Sequence, residues 1–296
     1  MKKIFSSLLI GTMIITMASC SSNSDGDTST NADGSSGSTE ITVISREDGS
    51  GTRGAFIELF GILEKDNEGS EIDNTYEEAI FVNSTSTVIT NVSSDENAIG
   101  YISLGSLNDT VTALPVDGTE ATAENIKEGT YNVFREFNIV YGESLSELGN
   151  DFLTFIYSKE GQEVVGQSYI PFNEQGESYE AKQIEGKLVI SGSTSVAPLI
   201  EKIVEAYKEQ NSLATIEIQP NGSSAGVNDA INGVSDIGMA SRSLKEDELV
   251  QINGSIIAYD GLAIIVNNEN NFVTGLSSEQ VKNIFTGETN IWEDLQ

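Results

Sequence analysis

The 296-residue chain contains no histidine and a single cysteine, and its 15 lysines and arginines face 46 aspartates and glutamates. The missing histidine removes Ser–His–Asp and Cys–His catalysis and every histidine-ligated metal site. A lone Cys20 allows no internal disulfide. No Gly-x4-Gly-Lys-Ser/Thr phosphate loop occurs, and no Ser-x-x-Lys pair stands in either main glycine/serine loop. The shortage of basic side chains makes nucleic acid or an anionic membrane surface an unsuitable partner. Binding rather than catalysis is therefore the first expectation, with no metal and no cofactor.

The amino end reads as a targeting segment. Lys2 and Lys3 precede an apolar run, Ile4–Met17, too short for a typical membrane span. It ends in Met17-Ala18-Ser19-Cys20, which is similar to a bacterial lipobox. The expectation is a signal peptide over 1–19, with Cys20 diacylated (palmitate-bearing) as the mature N-terminus; the alternative is a plain secretory signal that happens to contain a cysteine. From Ser21 to Thr39 the only apolar residue is Ala32, so residues 20–40 read as a flexible tether. Both features place the folded part outside the cytoplasmic membrane. Losing residues 1–19 removes two lysines and no acid, so 13 bases then face 46 acids, a charge of −33.

Two glycine/serine loops dominate the remainder. Ser45-Arg46-Glu47-Asp48-Gly49-Ser50-Gly51-Thr52-Arg53 follows the apolar run Ile41–Ile44, and Ser191-Gly192-Ser193-Thr194-Ser195 follows Leu188–Ile190. Each precedes a segment of helical periodicity, Gly51–Asp66 and Val196–Gln210. Strand–loop–helix junctions aim backbone N–H groups, hydroxyls and a helix N-terminus at one point, which suits a tetrahedral oxyanion. Arg46 would add a bidentate guanidinium, with Ser50, Gly51, Thr52, Thr194 and Ser195 as neutral donors. A third junction, Asn221–Gly226, opens the apolar pattern Val227, Ala230, Ile231, Val234. A fourth, Asp236–Arg242, adds Ser241 and a second guanidinium. Any one of these loops alone would pass for an ordinary helix cap. Strand candidates at 41–45, 98–104, 187–191, 214–219 and 261–266 alternate with helices and argue an α/β fold.

Taken together, ISGSTSVAPLIEKIVEAY, QPNGSSAGVNDAI, SDIGMASRSL, AYDGLAIIVN, FTGETNIWEDL, SREDGSGTRGAF, AIGYISLG, VFREFNIVY and FIYSKEGQEVVGQSYIPF resemble the substrate-binding lipoproteins of ABC phosphate importers, the PstS-type family. The resemblance implies a two-lobed type II periplasmic-binding-protein fold that closes on phosphate. By position it implies Arg46, Ser50, Gly51, Thr52, Thr194, Ser195 and Ser223 as phosphate-binding residues, and Ser241 of the fourth junction is counted with them for its hydroxyl. It also implies an ABC phosphate permease and its ATPase as partners, a monomer, and membrane contact through the lipid anchor only.

The order of segments departs from the family's usual one, in which GSTSV comes first and FTG…W leads into SREDGSGTR. Joining Gln296 to Ile41 restores that order, the signature of a circular permutation; a truncated tandem or mis-assembled reading frame is the alternative. The lobes then become 41–132 plus 263–296, carrying the Arg46 loop, and 133–262, carrying the Thr194 and Ser223 loops. Hinge crossings are expected near 131–136 and 260–261. Some relatives place an aspartate where this chain has Ser241, which leaves the acceptor for phosphate's proton open. Asp48 is a candidate unless Arg46 holds it; Asp260 is another, and Arg242 is a possible supporting cation. A receptor or sensor for a different oxyanion, and a secreted phosphatase-like enzyme using Ser50 or Ser195, are the competing readings.

Overall fold

The computed structural model describes residues 38–173 and 175–296. The signal peptide, Cys20 and most of the expected tether lie outside the described residues. No helix among the described residues is long and apolar enough to cross a membrane.

The chain opens with β1 (Thr42–Arg46) and α1 (Gly51–Leu59), followed by a small hairpin of β2 (Leu63–Lys65) and β3 (Glu71–Asp73). Next come β4 (Ile80–Val82), α2 (Thr85–Ser94), β5 (Ala98–Ser103), β6 (Val111–Leu114) and α3 (Ala123–Lys127). The middle holds β7 (Phe134–Tyr141), α4 (Glu147–Tyr157), α5 (Lys159–Val165), β8 (Ile170–Pro171), β9 (Gly186–Gly192) and α6 (Ala197–Gln210). Then follow β10 (Ala214–Pro220), α7 (Ser223–Ile231), β11 (Ile237–Ala240), α8 (Glu246–Leu249), β12 (Asn253–Asn267) and α9 (Ser278–Phe285).

The main sheet is mixed, in the order β10-β9-β11-β7-β12-β5-β1-β4, with β6 and β8 also pairing to β12. Strands followed by a helical crossover lie parallel, as β9 does to β10 and β11 and as β1 does to β4 and β5. β12 is the long exception. Its first part pairs antiparallel with β7 as far as Gly261 opposite Phe134; from Leu262 onward it pairs with β5 and β6. Two large cores flank this changeover, with a smaller third cluster of Val140, Val227, Ala230, Ala240 and Ile252. One gathers Val43, Phe56, Ile99, Tyr101, Ile264 and Phe285; the other gathers Phe137, Phe152, Leu188, Leu199, Ile203 and Tyr207.

Sequence periodicity overran two helices, and one piece of chemistry explains both. The pattern over 51–66 predicts a helix to Asp66, but α1 ends at Leu59 and Leu63 enters β2. Gly61 sits in the left-handed region, with Gly61 N–H on Glu58 O and Ile62 N–H on Ile57 O. This doubly bonded glycine cap stops a helix, and the buried pair Ile57 and Ile62 accompanies it. Gly233 does the same after α7, with Val234 N–H on Asp229 O, so Val234 is exposed rather than on the apolar face.

The expected tether also ends earlier than residue 40. Ile41 N–H donates to Asn290 O, Glu40 bridges Ile291, and Trp292 N–H donates to Thr39 O. Thr39 further donates from its amide and hydroxyl to the Glu293 carboxylate, both at 2.9 Å. Composition marks Thr39 and Glu40 as unstructured because their partners lie some 250 residues away in sequence.

Candidate functional site

The residues singled out in the glycine/serine loops sit at the carboxyl ends of strands, in the short turns that follow them, or at helix starts. β1 ends at Arg46, and Ser50 caps α1 by accepting from Arg53 N–H. β9 runs into Ser193, whose hydroxyl accepts from the amides of Ser195 and Val196 at the start of α6. β10 leads to Ser223, the first residue of α7, and β11 leads to Ser241.

These ends converge. Thr52 Oγ1 is hydrogen-bonded to Ser195 Oγ at 2.8 Å and lies 3.4 Å from Ser241 Oγ. Ser223 Oγ accepts from Ser241 N–H at 3.1 Å and lies 3.3 Å from Ser241 Oγ. Arg46 donates from Nη2 to Thr194 Oγ1 at 3.1 Å. Gly51 is required by close approach: a Cβ there would stand 2.4 Å from Ser223 Oγ and 2.9 Å from Ser241 Oγ. Ser224 N–H donates to Gly49 O, a backbone bond between the loops of the two cores. Ser195 and Ser241 are fully buried, and Arg46, Ser50, Thr52 and Ser223 are buried with them. Arg46, Gly51, Thr52, Thr194, Ser195, Ser223 and Ser241 are thus brought together, while the Ser50 hydroxyl caps α1.

Charge in the cluster is confined to one pair. Arg46 is held by Glu47 through Nε–Oε2 and Nη2–Oε1 contacts of 2.9 Å each, and Nε also reaches Val82 O. The loop beneath is propped by Tyr101, whose hydroxyl bonds Ser45 Oγ and accepts from Arg46 N–H. Tyr101 stacks on Phe56 with ring centroids 3.8 Å apart, and burial pushes its phenol up to about 12, so it stays neutral.

The three supporting candidates fare differently. Asp48 is exposed and ion-paired to Arg53, not to Arg46. Glu47 takes its place because its longer side chain doubles back on the neighbouring guanidinium. Arg242 is drawn away to Glu248, with contacts of 2.6 and 2.8 Å, and to Ser243 O. Asp260 is buried at the β12 changeover, accepting from Ser103 Oγ at 2.9 Å, Gly105 N–H at 3.3 Å and Arg135 Nη2 at 3.2 Å. Burial pushes its carboxyl up to about 6. As for nucleophiles, the partners of Ser50 Oγ and Ser195 Oγ are a cap amide and the hydroxyls of Thr52 and Thr85, none of them a base.

Two residues escaped sequence reading. Thr85 opens α2 just after β4, and its Oγ1 lies 2.9 Å from Ser195 Oγ. Its signal was the run Ser84-Thr85-Ser86-Thr87 after a short strand, with Ser84 capping the helix on Thr87 N–H. Arg135 lies on β7 directly opposite Asp260. A cavity of about 760 Å³ runs beside the cluster, lined by Gly49, Ser50, Arg53, Arg135 and Arg242 among others.

Comparison with known proteins follows the same lines. A family model described as a PBP superfamily domain matches residues 2–160 and 177–296. Phosphate-binding protein PstS 2 of Streptococcus agalactiae is 48% identical over 282 residues, covering 94% of this chain and 92% of that protein. Phosphate-binding protein PstS 2 of Streptococcus pneumoniae is 45% identical, covering 88% of this chain and 89% of that one. The crystal structure of a phosphate-binding protein of a phosphate ABC transporter from Streptococcus pneumoniae superposes with a TM-score of 0.69 at 45% identity. It covers 87% of this chain and all of its own.

Proposed function

Because the chain belongs to the PstS-type family of phosphate-binding proteins, we propose that it captures inorganic phosphate outside the cytoplasmic membrane and delivers it to an ABC permease. The observation that carries this reading is the convergence of hydroxyls from five strand–loop–helix junctions, on two separate cores, around one guanidinium. Serine and threonine hydroxyls and helix-start amides supply many donors without net charge, which is what a desolvated tetrahedral anion requires. Arg46, Ser50, Gly51, Thr52, Thr194, Ser195, Ser223 and Ser241 bind the anion in this reading, with Thr85 added. No covalent step is involved.

Closure supplies the mechanism. The halves 41–132 plus 263–296 and 133–262 rotate about the crossings near 133 and 261, and the anion is desolvated between preorganised donors. The contacts Arg46–Thr194, Thr52–Ser195 and Gly49–Ser224 belong to the closed form, which the permease recognises. Since Glu47 is occupied by Arg46, the hydroxyls take the role of acceptor for phosphate's proton.

The anchoring is part of the same proposal: Cys20 carries lipid, the following polar residues form the tether, and the protein acts as a monomer. So is the permuted order. The pairing of residues 39–41 with 290–293 supports ends joined elsewhere in the family, and the family match breaks between 160 and 177, where the usual ends would meet. The high coverage of the streptococcal relatives speaks against a mis-assembled frame. Isothermal titration of the purified protein tests the function. Phosphate is expected to bind tightly, and equal or tighter binding of sulfate or molybdate overturns the assignment.

A further inference from the structure

The cavity beside the cluster is lined by a guanidinium with no role so far, that of Arg135. Arg135 is 95% buried, and of its nitrogens only Nη2 is engaged, by Asp260. Neither Nε nor Nη1 has a hydrogen-bond partner among the described residues. Its flat face lies over the Phe137 ring, with Cζ 5.3 Å from the centroid, so it is the in-plane Nε–H and Nη1–H that stay unserved, and buried donors of that kind are costly unless something else meets them.

Topology sets Arg135 at the right place. β7 runs antiparallel to β11, so the start of β7 lies at the end of the sheet where β11 delivers Ser241. β12 and β5 bring Asp260 and Ser103 to the same end, and β1 brings Arg46. Arg135 lines one cavity together with Gly49 and Ser50 of the anion loop, and it lies within the electrostatic field of Arg46.

We propose that Arg135 is the second cationic group of the anion site, turning its Nε–H and Nη1–H to the bound phosphate while Asp260 holds Nη2 and fixes the fork. Asp260 is then a positioning residue. It ties the end of β5, through Ser103 and Gly105, to β7 through Arg135, so the guanidinium is oriented from both sides of the changeover. The assignment rests on the phosphate reading of the cluster.

The test is titration calorimetry with phosphate on the wild type, Arg135→Lys, and the double variant Arg135→Met/Asp260→Asn, each melted first without phosphate. The double variant removes both charges, so no unpaired ion is left buried and folding is retained. It is expected to melt close to the wild type and to bind phosphate at least about tenfold more weakly, since a charge-assisted contact has gone. Arg135→Lys keeps the charge and loses the fork, and its affinity is expected to fall between the two. A double variant, or an Arg135→Lys variant, within about twofold of the wild type overturns the role of Arg135 while leaving the phosphate reading intact. A wild type that binds no phosphate overturns the reading of the site, and the assignment of Arg135 with it.

Discussion

The two sides of the cluster use different chemistry. The side built on β1 and α1 carries the charge, Arg46 with Glu47, and a glycine that lets the opposite side approach. The side built on β9, β10 and β11 contributes only hydroxyls and amides from Thr194, Ser195, Ser223 and Ser241. Neutral hydroxyls from the two sides meet directly, as Thr52 and Ser195 do at 2.8 Å, while a cation on the second side, Arg135 of β7, is held by Asp260. The lesson is a division of labour: one side sets the electrostatic attraction, and the other sets geometry and reports closure.

That comparison can be broken. Arg46→Ala is expected to have the largest effect, weakening phosphate on the order of a hundredfold, because it removes the bidentate charge and leaves the half-buried Glu47 carboxylate unpaired beside the anion site. Calorimetry measures this directly; a loss no greater than that from a hydroxyl deletion would erase the distinction between the sides. Gly51→Ala comes next. Its Cβ would meet Ser223 Oγ at 2.4 Å, so closure should suffer by roughly tenfold or more in affinity with little change in melting temperature of the ligand-free protein. A scattering profile that no longer contracts on adding phosphate would sharpen the point.

Smaller effects probe the neutral side. Ser195→Ala deletes one hydroxyl that bonds both Thr52 and Thr85, and about 1 kcal/mol, or several-fold in Kd, is expected. An effect as large as that of Arg46→Ala would mean that the neutral side dominates after all. Asp48→Asn is the control and should change Kd by less than about twofold, because the side chain is exposed and, among the described residues, is ion-paired with Arg53 alone. A tenfold change there would return Asp48 to the site as an acceptor.

Legibility in the sequence followed how local each feature is. The strand–loop–helix junctions were readable because capping hydroxyls and glycines act on their own neighbours, as Ser50 does on Arg53. Helix ends at Gly61 and Gly233 were readable in principle by the same logic, but hydrophobic periodicity masked them. Thr85 was missed because α2 is rich in β-branched and hydroxyl residues and carries little apolar signal, although Val88 and Val92 bury its inner face. The strand reading began only at Gly261 because Asn253-Gly254-Ser255 and Asp260 bracket the short run Ile256–Tyr259, and it is pairing to β7 and β8 that carries extension through these residues.

By itself, the sequence determined the chemistry: no histidine, a single cysteine, an acidic surface, and glycine/serine loops able to offer donors to an oxyanion. Such properties belong to residues and their nearest neighbours, and no partner is needed to read them. Only the tertiary structure decided which carboxylate would hold Arg46, where the chain changes from one core to the other, and that Arg135 and Asp260 face each other beneath the cleft. The last two are outcomes of strand register between segments more than a hundred residues apart, and register is set by burial of whole faces, not by any one residue.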